Sequence, residues 1–297
     1  MKQRSALYWL VLLTAVLAAV YAGAGLFWQD DANPFSFTTL HGKTVEMYGQ
    51  GLYKYDSAFK APILRGTDAV TLFICIPVLI FALALYWRGS LRGGLLLASM
   101  LGYFVYNSAS LAFGAAYNNL LLVYIMSFSI SFFAFVLAIT SIDLQTLAVK
   151  TSPQFPRRGI AIFLFLAGSS LMVWLLDIIS ALILGSVPPN LGPYTTEATY
   201  TIDLGIIMPA AFLAGILVLR RSPLGTLLAS ILITLNVSIG LVVASQSIMQ
   251  ALDGIILSIS EYITYVMPFV TLSLIAAWLT SRLIRNISDS GPSQAAA

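Results

Sequence analysis

Long apolar blocks alternate with short polar breaks along the whole of this 297-residue chain. The blocks run approximately over 6–28, 67–87, 94–116, 119–141, 159–185, 203–219, 224–246 and 254–281. About 20 apolar residues, in a helix rising 1.5 Å per residue, cover the roughly 30 Å of a bilayer's hydrocarbon. The pattern therefore predicts an all-α fold, a polytopic transmembrane bundle of about eight helices over 1–287. A polar tail of small residues, 288–297, is expected to be disordered on the cytoplasmic side. Composition agrees with the pattern: 59% of residues are hydrophobic and 9% charged, against roughly a quarter charged in a soluble domain.

Only two connections outside the membrane are long, 29–66 and 186–202. The first contains FSFTTLHGKTVEMYGQGLYKYDS, in which His41-Gly42 separates two runs of alternating character, and this predicts a small β-hairpin. In the second, Pro188, Pro189, Gly192 and Pro193 predict an irregular loop that stops the fifth helix.

The basic residues orient the bundle. With the N-terminus cytoplasmic, Lys2, Arg4, Arg88, Arg92, Lys150, Arg157, Arg158, Arg220, Arg221, Arg282 and Arg285 all fall inside, and only Lys43, Lys54, Lys60 and Arg65 fall outside. This obeys the positive-inside rule and predicts a multi-pass protein of the plasma (inner) membrane with both termini cytoplasmic. The first block ends in Ala22-Gly23-Ala24, a small-x-small pattern that signal peptidase accepts. A retained helix is favoured, because the apolar run exceeds the usual signal-peptide core and Tyr21 interrupts its end. Cleavage would leave seven spans.

Residues 67–96 align with 199–228 at a constant offset, pairing Thr67 with Thr199, Pro77 with Pro209, Arg88 with Arg220, Ser90 with Ser222 and Gly93 with Gly225. A true repeat would make two parallel four-helix halves, as in some transporters. The alternative is that apolar helices closed by an Arg-Ser-Gly turn resemble one another anyway.

Ionisable groups inside a span cost about 2.5 to 3.5 kcal/mol on insertion scales, so they are functional candidates. Asp177 and Glu261 both fall on the order of 10–13 Å below the outer ends of their helices. Asp68 and Asp203 stand at the outer mouths of the second and sixth. The third helix carries Tyr103, Asn107, Ser110, Gly114 and Tyr117 on one face, the fourth Tyr124, Ser127 and Ser131, the eighth Ser258, Glu261, Tyr265 and Pro268. A water-accessible pocket opening outward is expected from these groups, with Asp177, Glu261, Asn107, Asp68, Asp203, Tyr103, Tyr124 and Tyr265 as ligand-binding candidates. For the Ser, Thr and Tyr positions the competing expectation is interhelical hydrogen bonding, worth about 0.6 kcal/mol each. Pro77, Pro209 and Pro268 lie inside helices, where they shape the bundle or hinge it.

Much chemistry is excluded. One cysteine, Cys75, allows no intrachain disulfide, and one histidine, His41, allows no multi-imidazole site, so neither metal nor cofactor is expected. There is no phosphate-binding Gly-rich loop, H-E-x-x-H pair, G-x-S-x-G elbow or retinal-type lysine within a span. The net charge of +3 is set by topology and does not point to nucleic acid.

The runs YGQGLYKYDS, RGTDAVTLF, GYFVYNSASLAFGAAYNNLLLVY, SVPPN and YTIDLGIIMPAAFLAG resemble a group of bacterial polytopic membrane proteins of unassigned function, over most of the chain. The resemblance implies the topology and a prokaryotic inner-membrane setting, and no catalytic or binding roles. Three readings follow. The leading one is a protein that binds, and moves or senses, a small cation, a protonatable solute or protons in an acidic outward pocket. The second is a receptor or accessory subunit docking a protein partner through its outer loop. The third is an intramembrane lipid-modifying enzyme, for which no catalytic motif speaks.

Overall fold

The structure is a computed structural model that describes residues 2–28, 30, 32–188 and 191–289. Among these residues, eight helices are long and apolar enough to cross a membrane. They are α1 (Lys2–Phe27), α2 (Lys60–Trp87), α3 (Leu91–Gly114), α4 (Leu121–Thr140), α5 (Arg157–Leu184), α6 (Ala198–Leu219), α7 (Pro223–Leu252) and α8 (Ile259–Arg285). Eight such helices fit a multi-pass membrane protein by length and composition. Their outward faces carry exposed apolar side chains such as Phe81, Leu182 and Ile263, a surface suited to hydrocarbon rather than water.

The expected hairpin is present. Strands β1 (Phe35–Thr38) and β2 (Thr44–Met47) pair antiparallel, Phe35 opposite Met47, and Gly42 supplies the left-handed backbone at the turn, with φ 74°. The following residues, 48–59, fold back against the helix ends.

Two sets of contacts define the two ends of the bundle. At the hairpin end, Lys60 pairs with Glu197 and Arg65 with Asp253. At the other, Arg92 Nε donates to the Ile287 carbonyl, and Asp289 accepts from Ser90 Oγ and the Arg92 amide. Ser288 and Asp289, the first residues of the expected disordered tail, are hydrogen-bonded, the Ser288 amide donating to the Lys150 carbonyl; 290–297 lie outside the described residues, as does Pro189 of the second loop.

Three prolines deep inside helices each sit just after a π-helical turn. Pro77, Pro209 and Pro268 follow Thr71–Cys75, Asp203–Ile207 and Tyr262–Val266. Proline offers no N–H to the carbonyl four residues back, and the ladder slips by one. The Ile76, Met208 and Met267 amides therefore reach carbonyls five residues back, on Thr71, Asp203 and Tyr262.

The first two of these segments are the aligned pair, and they fold alike. Both π turns lead into 12-residue helices, Ile76–Trp87 and Met208–Leu219. Arg88 and Arg220 cap them with nearly equal dihedrals. Gly89 and Arg221 then both take positive φ, 83° and 58°. Ser90 and Ser222 start the next helices. Gly93 and Gly225 lie on the backbone of the preceding turn, where an added Cβ would come within 2.7 Å of Leu85 C and 2.5 Å of Leu217 C.

The packing around the two segments differs. Helix α1 lies along α4, whereas the backbones of α5 and α8 stay apart and meet through side chains. The space left on the α5 and α8 side is where the cavity lies.

Candidate functional site

A cavity of about 290 Å³ is lined by residues of α2, α3, α5, α6, α7 and α8 together with the loops at the hairpin end. It is at the small end of ligand pockets, roughly 300–1,000 Å³. Its wall joins apolar side chains to the aromatics Tyr103, Tyr106, Trp174, Tyr194, Tyr200, Tyr265 and Phe269, the amides Asn107, Gln246 and Gln250, and the charged groups Lys60, Glu197 and Glu261.

The aromatic wall is built by a crossed arrangement of two helices. Helix α5 carries Trp174 and Asp177, and α6 carries Tyr200 and Asp203, each an aromatic followed three residues later by aspartate, which places both on one helix face. Trp174 Nε1 donates to Asp203 Oδ2 at 2.9 Å, and the Tyr200 hydroxyl donates to Asp177 Oδ2 at 3.2 Å. Each aromatic is thereby anchored by the other helix's carboxylate. Trp174 lies beside Tyr200 at 5.3 Å and stacks on Tyr265 at 6.1 Å, 9° from parallel, and on Phe269 at 6.3 Å. A break in α5 aims this half of the helix. It falls after Gly168-Ser169-Ser170, where Ser170 Oγ bonds back to the Ala167 carbonyl, a contact that bends helices.

Lys60 also lines the cavity. Its ammonium is 2.9 Å from Glu197 Oε2 and 4.1 Å from the centroid of the Tyr194 ring, within range of a cation–π contact. The cavity thus already holds one ammonium, between a carboxylate and a phenol.

The structure redistributes the residues expected to share a pocket. Asn107, Tyr103, Glu261 and Tyr265 line the cavity, and so does Ser110 of the same α3 face. Asp177 and Asp203 stand behind it, bonded to the rings. Glu261 is not deep: α8 begins at Ile259, and Ser258 caps it reciprocally with Glu261, Ser258 N and Oγ both lying 2.7 Å from Glu261 Oε2. The apolar Ile255–Leu257 that extends the sequence block is outside the helix. Asp177 and Glu261 have separate partners and form no carboxyl dyad.

Asp68 is not at a mouth. It is completely buried, because 48–59 fold over it and the Tyr53 hydroxyl donates to Asp68 Oδ2 at 2.7 Å. Burial, with Asp68 alongside, pushes the Tyr53 phenol well above its usual range. Tyr124 also points elsewhere, edge-on to Tyr21 and accepting from Asn118 Nδ2. With the Ser108 and Ser131 hydroxyl pair, the α4 polar face is a helix-to-helix seam. Asn107 serves both sides, donating to Tyr21 at 3.0 Å and to Thr71 at 3.3 Å.

Sequence reasoning passed over Trp174, Tyr106, Tyr200, Gln246, Gln250 and the Lys60–Glu197 pair. The signal that was present is the repeated aromatic-x-x-Asp spacing at 174–177 and 200–203 and the Gln246, Gln250 step of four.

Below the hairpin, Asp56 ties three segments together: its Oδ1 accepts from the Ala116 amide at 2.9 Å and the Tyr194 hydroxyl at 2.8 Å, while Oδ2 is buried without a partner. Burial raises its carboxyl above the ordinary range, against the lowering pull of those two donors. A folded value above the unfolded one means a contribution fully present below the unfolded carboxylate value and lost as pH rises through the raised one. Asp56→Asn keeps the acceptor and removes the titration. Its melting temperature is expected to fall less than the wild type's as pH rises from about 4 toward neutrality, and parallel pH profiles would show that Asp56 carries no such dependence.

Comparison of this chain with protein-family models, with curated proteins and with solved structures gives no match in any of the three.

Proposed function

We propose that this protein binds a small organic cation, such as an alkylammonium, in the cavity between α5, α6 and α8, and moves or senses it. The observation that carries the reading is the crossed pair Trp174–Asp203 and Tyr200–Asp177. Two rings face the cavity, and a carboxylate on each ring's donor edge adds negative potential to faces that already attract cations. Glu261 adds a carboxylate to the lining, and the Lys60 ammonium seated on Tyr194 and Glu197 supports a cavity able to accommodate such a group. The polar amides Asn107, Gln246 and Gln250 would orient the remainder of the solute.

The setting we infer is a bacterial inner membrane, with the hairpin end outside and both termini in the cytoplasm. The distribution of arginines and the resemblance given above support it. The repeated π-turn segments support a bundle descended from two parallel halves, one packed shut between α1 and α4 and one open between α5 and α8.

The test is the melting temperature of the purified protein against a series of alkylammonium ions. A ligand that binds only the folded state raises it with concentration, as RT ln(1 + [L]/Kd). A uniform absence of any shift across the series rejects a cation site.

A further inference from the structure

We propose that Asp68 is a proton-binding site, set on the far side of α2 from the cavity, whose protonation is coupled to cavity occupancy. The coupling rests on the cation reading; the proton site does not.

The carboxyl group is 0% exposed, with Tyr53 donating to Oδ2 and Oδ1 buried without a partner. Gly25 of α1 lies against it so closely that an added Cβ would collide with the carboxylate. The groups facing Asp68 are Tyr21 of α1, Tyr53 of the outer segment and Tyr124 of α4. The base that acts on it, Arg65 of its own helix, is held by Asp253 and Tyr48. A carboxylate here would be a charge without a counter-ion or a full set of donors, whereas a carboxylic acid accepts from Tyr53 at one oxygen and keeps its proton on the other.

Helix α2 is the partition between this site and the cavity. Thr67, next in sequence, lines the cavity and accepts from Gln246 Nε2 at 2.9 Å. Thr71, one turn on, bonds Tyr103 and Asn107, which line it too, and Asn107 bonds Tyr21 on the Asp68 side. One layer of hydrogen-bonded side chains separates the two sites. A cation in the cavity favours loss of the Asp68 proton across this poorly screened layer. The O–H bond breaks, the electron pair stays on the carboxylate and the proton passes to water. By linkage, deprotonation of Asp68 strengthens cation binding by the same factor.

The test is infrared spectroscopy of the carboxylic acid carbonyl stretch at neutral pH, with tetramethylammonium as probe because it has no titrating proton of its own. Wild type is expected to show a band absent in Asp68→Asn, moved in Tyr53→Phe, and reduced at tetramethylammonium concentrations that raise the melting temperature. A wild type without the band, or one that Asp68→Asn and Tyr53→Phe both leave unchanged, overturns the proton site. A band that tetramethylammonium binding does not alter overturns the coupling. If the ion does not bind at all, the cation reading and the coupling fail together, and the band alone decides the proton site. Should Asp68→Asn not fold, the Tyr53→Phe displacement still identifies the carboxyl.

Discussion

Trp174→Ala is expected to weaken tetramethylammonium binding about 30-fold, the equivalent of about 2 kcal/mol for a desolvated cation–π contact. The indole is the hub of the aromatic wall, touching Tyr200, Tyr265 and Phe269 at once, so its loss also loosens the rings around it. Glu261→Gln is expected to weaken binding several-fold with little change in melting temperature, because glutamine serves in the Ser258 capping box as glutamate does and only the charge is lost. Calorimetric titration separates the two. Equal affinity in wild type and both variants would mean that the ion binds elsewhere.

Lys60→Met is expected to move stability and affinity in opposite directions. The Lys60 and Glu197 side chains are 15% and 11% exposed, and removing one partner of a buried pair strands the other, at a cost of about 3 kcal/mol. The same change removes the ammonium that occupies Tyr194 and Glu197, so tetramethylammonium should bind about tenfold more tightly. Adding Glu197→Gln should restore stability and abolish the gain in affinity. Chemical denaturation and titration of the two variants check both halves. Weaker binding in Lys60→Met would show that Lys60 helps to hold the ligand instead of competing with it.

The sequence revealed the parts of the fold that depend on local pattern. Block length placed all eight helices, and His41-Gly42 placed the hairpin. The 67–96 and 199–228 similarity foretold a segment that repeats down to its π turn and its positive-φ residue, Arg221 standing where the earlier copy has Gly89. Helix ends were less legible, because hydrophobicity marks hydrocarbon and not hydrogen bonding. Helix α2 starts at Lys60 and α7 runs to Leu252, beyond their apolar blocks, while α8 starts later than its block, at the capping serine.

The site was half legible for a related reason. Asn107, Tyr103 and Tyr265 line the cavity, a placement legible because helical spacing reports a face. Asp68, Asp177 and Asp203 lie off the cavity wall, because depth along a helix says nothing of what covers it. Asp68 is roofed by Tyr53, a residue of the segment that follows the hairpin, and Asp203 is turned away from the cavity by Trp174, contacts that join distant parts of the chain.

The claim that a cation rests on the Trp174 wall is tested most directly by the emission of Trp174 alone, with Trp9, Trp28, Trp87 and Trp278 changed to phenylalanine. Titration with tetramethylammonium should change that emission saturably, at the concentrations that raise the melting temperature, and Glu261→Gln should shift the midpoint higher. Emission that stays constant while the ion stabilises the protein would place the cation away from Trp174 and contradict the account.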